Sequence, residues 1–175
     1  MTPEQIYKLF IHRNDVFAEQ KNKGIYIPTK RPITLQDIQE HLDGEKTIGI
    51  YCLNTDNTIK WACVDIDGDD LEYSKAEGNL IYKQFPDFKR MLEFSGRRGY
   101  HIWIFFDKPI NASLGQRLVK ARLNRINMLK HEVFPKQIEL NENRKYGNLV
   151  KLPLAIHRVS GKRSEILKYE GDKND

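Results

Sequence analysis

The chain has 175 residues, a length that fits one domain or two small lobes sharing a site. Its 29 Lys and Arg against 24 Asp and Glu give a formal net charge of +5, which suits a polyanionic partner without requiring one. Cys52 and Cys63 are too few for a cysteine-based zinc site and lie in apolar runs typical of buried thiols. No signal segment follows Met1 and no apolar run is long enough to cross a bilayer, so we expect a soluble, cytoplasmic protein without membrane contact.

The predicted elements mix helices and strands along the chain. A capping box at Thr2 predicts a first helix whose apolar positions extend to Phe17. Thr34 begins a second helix through Leu42, which Gly44 can end. Further helices are predicted at residues 71–85 and 114–134, and strands at residues 47–53, 58–66, 91–94, 100–106, 137–141, 148–152 and 164–169. This order indicates an α+β fold, because the strands are too interleaved for a doubly wound sheet.

Two aspartates end the apolar strand over residues 58–66. Because alternate residues of a strand share a face, Asp65 and Asp67 point the same way. Paired carboxylates select hard cations such as Mg²⁺ or Mn²⁺, which phosphoryl-transfer enzymes use to bind phosphate oxygens. Alone, the pair is equally consistent with a solvated strand end. It also looks like the signature of haloacid-dehalogenase-type phosphatases, with Asp69 in place of the usual threonine.

A loop between two predicted strands reads Ser-Gly-Arg-Arg-Gly-Tyr-His over residues 95–101. Its glycines permit tight turns, so that backbone amides can approach an anion. Arg97 and Arg98 offer fork-shaped cationic donors for phosphate oxygens. With Ser95 and His101 they form a candidate triphosphate cradle. The alternative is a hairpin loop with solvated arginines and a satisfied histidine.

The combination of these two motifs resembles the archaeo-eukaryotic primase superfamily, in which a strand bearing Asp-x-Asp precedes such a loop. Residues 149–161 resemble a third primase segment, in which a basic residue, a proline and a histidine precede a Ser-Gly turn; its basic residue and histidine correspond to Lys151 and His157. Glu139 stands where the family places its third metal carboxylate, although the family usually has Asp there. The remaining sequence looks like the primase-polymerases of bacterial defence systems, including CRISPR-associated ones.

The resemblance implies a catalytic domain over residues 1–170, made of an α/β lobe and an RRM-like lobe with the metal site between them, and a polar tail or linker stub over residues 171–175. It implies a nucleotidyltransferase, a template-dependent primase-polymerase that joins NTPs or dNTPs into primers, or extends primers, on single-stranded DNA. Asp65, Asp67 and Glu139 would hold two divalent ions, Mg²⁺ or Mn²⁺. The implied nucleotide-binding residues are Ser95, Arg97, Arg98, His101, Lys151 and His157. CRISPR or other defence-system proteins would be partners through a larger parent chain.

Two other functions stay open from the residues alone. A metal-dependent phosphatase or nuclease would use the same carboxylates. A non-catalytic RRM-like module would bind nucleic acid without them, although the aromatic signature of such modules is not evident. Basic residues around Tyr26 suit a single-stranded template held by charge and stacking. We expect His41 to be a surface or packing residue, because no metal-ligand partner stands at a fixed spacing from it.

Overall fold

The computed structural model describes residues 1–171, so residues 172–175 of the predicted polar tail lie outside the described part of the chain. The helices are α1 (Pro3–Phe10), α2 (Leu35–Asp43), α3 (Leu71–Tyr82) and α4 (Ala112–Asn124). The strands are β1 (Phe17–Gln20), β2 (Tyr26–Thr29), β3 (Ile48–Tyr51), β4 (Thr58–Asp67), β5 (Lys89–Phe94), β6 (Gly99–Asn111), β7 (Glu132–Phe134), β8 (Leu149–Lys151) and β9 (Glu165–Glu170). Within residues 1–171, no helix is long and apolar enough to cross a membrane.

The larger sheet has five antiparallel strands in the order β7-β4-β6-β5-β9. Six successive elements, β4-α3-β5-β6-α4-β7, form the β-α-β-β-α-β arrangement of ferredoxin-like and RRM-like domains. Alternate residues of the strands, such as Val64 and Ile104, pack with α3 and α4 through Ile81, Val119 and Leu123 on one face of the sheet. The predicted RRM-like lobe is therefore confirmed.

The second sheet has four strands in the order β2-β1-β3-β8 and is accompanied by α1 and α2. It packs against the face of the larger sheet that α3 and α4 leave open. Phe10 of α1 packs against Trp103 in this interface, with ring centroids 5.0 Å apart, and Trp103 in turn packs against Trp61. The Trp61 indole N–H donates to the Phe10 carbonyl at 2.7 Å. The chain therefore has the predicted α+β fold, with two lobes that share one apolar core.

The helix predicted over residues 114–134 is too long. It ends at Asn124, the chain turns through Asn127, which has a positive φ of 55°, and residues 132–134 return as the edge strand β7. Asn favours turns over helix because its short amide competes for backbone hydrogen bonds. The residue before a proline also avoids helical geometry, and Pro135 follows β7.

Two further predictions of local structure are wrong. Phe17 was assigned to the first helix but lies in β1, where it is buried at the interface of the lobes. Residues 137–141 form no strand, and only an isolated bridge joins Asn141 to Arg144. Ile138 is 41% exposed, so the apolar residues of this segment do not pack as a strand face would. Tertiary packing decides both cases, which a short apolar pattern cannot anticipate.

His41 joins three parts of the smaller lobe. It is fully buried, its Nε2 lies 2.9 Å from the Pro153 carbonyl oxygen, and its Nδ1 accepts the Ile48 backbone N–H at 3.0 Å. Nδ1 is thus the acceptor, and Nε2–H donates. Burial and the nearby Lys151 charge lower the pKa of His41 to about 4. The hydrogen bond to Pro153 acts in the opposite direction but is outweighed. His41 is a neutral packing residue, as expected.

This buried histidine makes the stability of the fold sensitive to mild acid. Below pH of about 6.5 the unfolded chain binds a proton at His41, whereas the folded protein does not until the pH falls to about 4. Stability should therefore fall as the pH drops through this window, by roughly 2 kcal/mol between pH 6.5 and 5 from His41 alone.

We expect His41→Gln to be less stable than wild type at pH 7, because the Ile48 N–H loses its acceptor, but to lose less stability between pH 7 and 5. Urea unfolding followed by tryptophan fluorescence measures both proteins at both pH values. The other histidines are common to the two proteins, so the difference isolates His41. Equal losses on acidification would contradict this role.

Candidate active site

Asp65 and Asp67 lie at the end of β4, where its apolar alternation stops. Asp65 pairs with His101 of β6, and Asp67 pairs with Gly99. Their side chains are 25% and 63% exposed. Trp61 and Cys63, on the same face of β4, are buried between the lobes. The carboxylates therefore emerge where the shared core ends.

Gly99 is required by the close approach of β4 and β6 at this point. A Cβ on residue 99 would lie 1.8 Å from the Ile66 carbonyl oxygen, which is backbone and cannot yield without moving the strand. Any side chain here would push apart the strand ends that carry Asp65, Asp67 and His101. The second glycine of the loop motif is thus needed for the close spacing of β4 and β6 at the site, and not for a turn.

The loop between β5 and β6 is held closed by its own hydrogen bonds. The Ser95 N–H donates to the Gly99 carbonyl at 2.9 Å, and the Gly99 N–H donates to Ser95 Oγ at 3.3 Å. Gly96 has a φ of +88° and packs against the backbone of residues 162–164. The Ser160 hydroxyl donates to the Gly96 carbonyl at 2.6 Å. The Ser-Gly turn predicted after His157 therefore braces the loop.

A pocket of about 220 Å³ opens between the two sheets at this end of the core. Every predicted site residue except Glu139 lines it. The aspartates and His101 come from the larger sheet, Lys151 from β8 of the smaller one, and the rest from the two loops. The other lining residues are Tyr26, which the sequence indicated only as a template contact, and four that it did not indicate: Gln20, Phe134, Leu149 and Val150. The three predicted motifs thus converge from separate stretches of the chain.

Glu139 lies elsewhere, exposed in the irregular segment after β7 and outside the pocket lining. Its predicted position on a strand facing the aspartates is wrong, because no strand forms there. The structure brings a different carboxylate to this face: Glu132 of β7 is directly opposite Asp65 of β4. Directly opposed residues of an antiparallel pair share a face. Glu132 is exposed and forms an ion pair with Lys136 at 2.6 Å.

A buried acid, Glu93, lies behind the pocket. It sits on β5 opposite His101 and is fully buried. Its carboxylate is 3.0 Å from His101 Nδ1, 2.9 Å from Trp103 Nε1 and 3.3 Å from Lys151 Nζ. On its other side, His101 Nε2 is 3.6 Å from Asp65 Oδ1. A continuous polar chain thus runs from Lys151 through Glu93 and His101 to Asp65.

His157 and Arg98 complete the polar wall of the pocket. His157 Nδ1 accepts the backbone N–H groups of Val159 and Ser160 at 3.2 and 3.4 Å, which leaves the proton of the neutral ring on Nε2. Burial and the charges of Lys151 and Arg97 lower the pKa of His157. Arg98 lies 3.5 Å from Asp67, and both side chains are more than half exposed. Such exposed pairs are weak.

The family of the chain follows from its sequence. The family model described as "TOTE conflict system, Archaeo-Eukaryotic Primase domain" matches residues 4–173. The chain belongs to this primase family. A comparison with curated protein sequences finds no match.

Among solved structures, the primase domain is similar in fold to the chain described as "Cyanophage S-2L Primase-Polymerase (PrimPol), AEP domain (PP-N190)". The two share 13% sequence identity with a TM-score of 0.59, over 96% of this chain and 87% of that chain. At this identity the likeness concerns the fold. The resemblance drawn from the Asp-x-Asp strand and the Ser-Gly-Arg-Arg-Gly-Tyr-His loop is therefore confirmed at the level of the superfamily.

In the primase domain, the folded structure disfavours the charged form of the Asp65 carboxylate. Burial raises the pKa of Asp65, the charges of Asp67 and Glu132 add to this effect, and His101 opposes it. Among the described residues, no three His, Cys, Asp or Glu side chains are close enough together to form a complete metal cage. Asp65 and Asp67 nevertheless share the pocket and repel each other, which suits a cation held partly by substrate phosphates, as is usual for Mg²⁺.

We expect Asp65→Asn to stabilise the protein in EDTA. The raised pKa of Asp65 means that the folded state disfavours its charge, so a neutral amide of the same size should raise the thermal midpoint at neutral pH. Differential scanning fluorimetry of both proteins measures the change. Asp107→Asn, at an exposed position far along β6, is the matched control and should leave the midpoint unchanged. A lower midpoint for Asp65→Asn would show that its pairing with His101 outweighs the repulsion.

Proposed function

We propose that this primase domain is a template-dependent primase-polymerase that joins NTPs or dNTPs into primers, or extends primers, on single-stranded DNA. The observation that carries the proposal is the convergence, in one pocket, of two carboxylates with five donors suited to a triphosphate. Asp65 and Asp67 line the same pocket of about 220 Å³ as Arg97, Arg98, His101, Lys151 and His157. Catalysis in such a site rests on positioning and charge neutralisation rather than on covalent chemistry.

In this proposal Asp65 and Asp67 hold Mg²⁺ or Mn²⁺ together with substrate phosphates. The three carboxylates Asp65, Asp67 and Glu132 form no complete cage by themselves, and Glu132, on the same sheet face, is proposed as the further ligand in the place first predicted for Glu139. The support for Glu132 is its register opposite Asp65 and its contribution to the raised pKa of that carboxyl. When bound, two such ions lower the pKa of an attacking 3′-hydroxyl and neutralise the departing pyrophosphate. Glu is one of the oxygen ligands that suit these hard cations.

The basic residues bind and orient the triphosphate. Arg97 is exposed in a loop held rigid by Ser95, Gly96 and Gly99, so its guanidinium can reach phosphate oxygens from a fixed base. Arg98 is held by two weak, exposed ion pairs, with Asp67 at 3.5 Å and Asp69 at 3.9 Å, so phosphate oxygens can compete for it. Lys151 and the Nε2–H of His157 donate from the opposite wall. The two walls belong to different lobes, so a bound triphosphate spans them.

The structure speaks against a non-catalytic RRM-like module. Such modules stack bases on aromatic residues of an open sheet face. Here the corresponding face carries Trp61 and Trp103, which are 1% and 0% exposed beneath the smaller lobe. Bases cannot reach that face while the lobes are packed together. A metal-dependent phosphatase or nuclease is distinguished by its products in the assay below.

Partner proteins of a defence system stay within the proposal, because the family description names a conflict system. No comparable observation supports a CRISPR association.

The assay incubates the domain with a labelled primer on a single-stranded DNA template, dNTPs or NTPs, and Mg²⁺ or Mn²⁺. Extended products support a polymerase, shortened ones a nuclease, and release of phosphate without extension a phosphatase. We expect Asp65→Asn, Asp67→Asn and Glu132→Gln each to reduce extension by roughly 100-fold or more, because each removes a charge from the metal-binding face.

Glu139→Gln is the matched control, since it is the same change at an exposed glutamate seven positions along the chain. It should extend primers like wild type. Full activity of Glu132→Gln together with loss in Glu139→Gln would restore the ligand first predicted from the sequence and overturn the assignment of Glu132.

Arg98→Ala tests the triphosphate cradle separately from DNA binding. A charge-assisted hydrogen bond contributes about 1.5–3 kcal/mol, and the low end suits a half-exposed side chain. We therefore expect nucleotide affinity to fall about tenfold, with little change for a short oligonucleotide. Arg117→Ala, at an exposed position on α4 behind the larger sheet, should change neither affinity. Equal losses for both ligands in Arg98→Ala would make the loop a general anion patch.

A further inference from the structure

The buried acid Glu93 touches two pocket residues but does not line the pocket itself. One carboxylate oxygen, Oε2, lies 3.0 Å from His101 Nδ1 and 2.9 Å from the Trp103 indole nitrogen. The other, Oε1, lies 3.3 Å from Lys151 Nζ. Both carboxylate oxygens therefore have partners. Two of the donors, His101 and Trp103, lie on β6 beside β5, and the third, Lys151, lies on β8 of the smaller sheet. The side chain has no room to serve a ligand directly.

Glu93 remains charged in spite of its burial. Burial disfavours the carboxylate, but the charges of Lys151 and His101 and the hydrogen bonds from His101 and Trp103 outweigh it and lower its pKa to about 2. A buried carboxylate of this kind is expensive unless it is paired and fully hydrogen-bonded. Its retention beneath a pocket that is proposed to bind a triphosphate therefore calls for an explanation.

The contacts of Glu93 explain why a buried carboxylate lies behind the pocket. Because His101 Nδ1–H donates to Glu93, the ring is fixed with Nε2 toward Asp65 and the pocket, 3.6 Å from the Asp65 carboxylate. Because Lys151 Nζ is bonded to the same carboxylate, its ammonium is held on the opposite wall. The His101 ring and the Lys151 ammonium are thereby held close together by the one carboxylate that bonds to both.

We propose that Glu93 is a positioning residue for the incoming nucleotide, holding His101 and Lys151 in the orientation that a triphosphate requires. This rests on the proposed function of the pocket. The proposal makes a prediction opposite in sign to that of simple charge repulsion. Removing a negative charge behind a triphosphate site should tighten binding if only Coulomb energy mattered. It should weaken binding if Glu93 preorganises the donors, because the ligand must then order them itself.

The chain contains a close internal control. Glu77 of α3 is also buried and also pairs with one lysine and one histidine, Lys130 and His131, with His131 Nε2 3.2 Å from its carboxylate. It belongs to the helix layer on the other face of the larger sheet and does not line the pocket. Glu77→Gln therefore reproduces the loss of a buried, doubly paired carboxylate without touching the site.

The test measures the affinity of wild type, Glu93→Gln and Glu77→Gln for a non-hydrolysable dNTP analogue with Mg²⁺, and for a short single-stranded oligonucleotide, well below all three thermal midpoints. We expect Glu93→Gln to bind the dNTP analogue about tenfold or more weakly and the oligonucleotide like wild type. Glu77→Gln should bind both ligands like wild type, even if its thermal midpoint falls. In primer extension, Glu93→Gln should raise KM for the nucleotide.

Unchanged or tighter nucleotide binding by Glu93→Gln would overturn the proposal, as would an equal loss in Glu77→Gln. If Glu93→Gln does not fold, Glu93→Asp replaces it. This variant keeps the charge but withdraws it by one methylene, so nucleotide affinity should fall by an intermediate factor. Unchanged affinity of Glu93→Asp would overturn the proposal. A wild type that extends primers while Glu93→Gln binds nucleotide normally sinks this inference alone. A wild type that binds no nucleotide sinks the proposed function and this inference with it.

Discussion

The apolar packing of the smaller lobe on the larger sheet joins the two lobes, with the Phe10 ring against Trp103 and the Phe10 carbonyl accepting the Trp61 N–H. This apolar interface covers the sheet face that RRM-like modules leave open. It extends along β4 and β6 until polar side chains, Asp65 and His101, interrupt the apolar alternation of the strands. The polar pocket of about 220 Å³ opens beyond that point, where the apolar interface between the sheets ends. The strand ends are close enough to share a ligand because residue 99 lacks a side chain beside the Ile66 carbonyl.

The charges around the pocket are not arranged for stability. Asp65 is half-buried beside other carboxylates, and its pKa is raised accordingly. The partners of Arg98, Asp67 and Asp69, are both exposed, so its ion pairs are weak. The one fully compensated acid is Glu93, which lies behind the pocket. Charged groups in unfavourable surroundings at one end of a well-packed core are typical of a site that binds charged ligands. Here a cation would reduce the repulsion between the aspartates, and an anion would pair with Arg98.

The sequence predicted the parts of the fold that local chemistry determines. The capping box at Thr2 and the helix start at Thr34 are present, as are the strands that carry Asp65 and His101. It failed where long-range packing decides. β7 pairs with β4, far away in sequence, and the helix predicted over these residues gave no indication that Glu132 lies opposite Asp65. The proline after Phe134 was the available signal. Glu93 had a signal too, as a charged residue in an apolar strand, since buried acids are almost always paired.

The central claim is that one pocket between the lobes receives both the cation and the triphosphate. A crystal structure of the domain with Mn²⁺ and a non-hydrolysable dNTP analogue, measured with anomalous scattering from manganese, tests it directly. We predict anomalous peaks beside Asp65 and Asp67, with the triphosphate between the loop that follows β5 and Lys151. A larger groove of about 1050 Å³, at the opposite end of β4 and lined in part by Lys8 and Lys60, offers a rival anion site. A triphosphate bound in that groove, with no manganese beside the aspartates, would contradict the account.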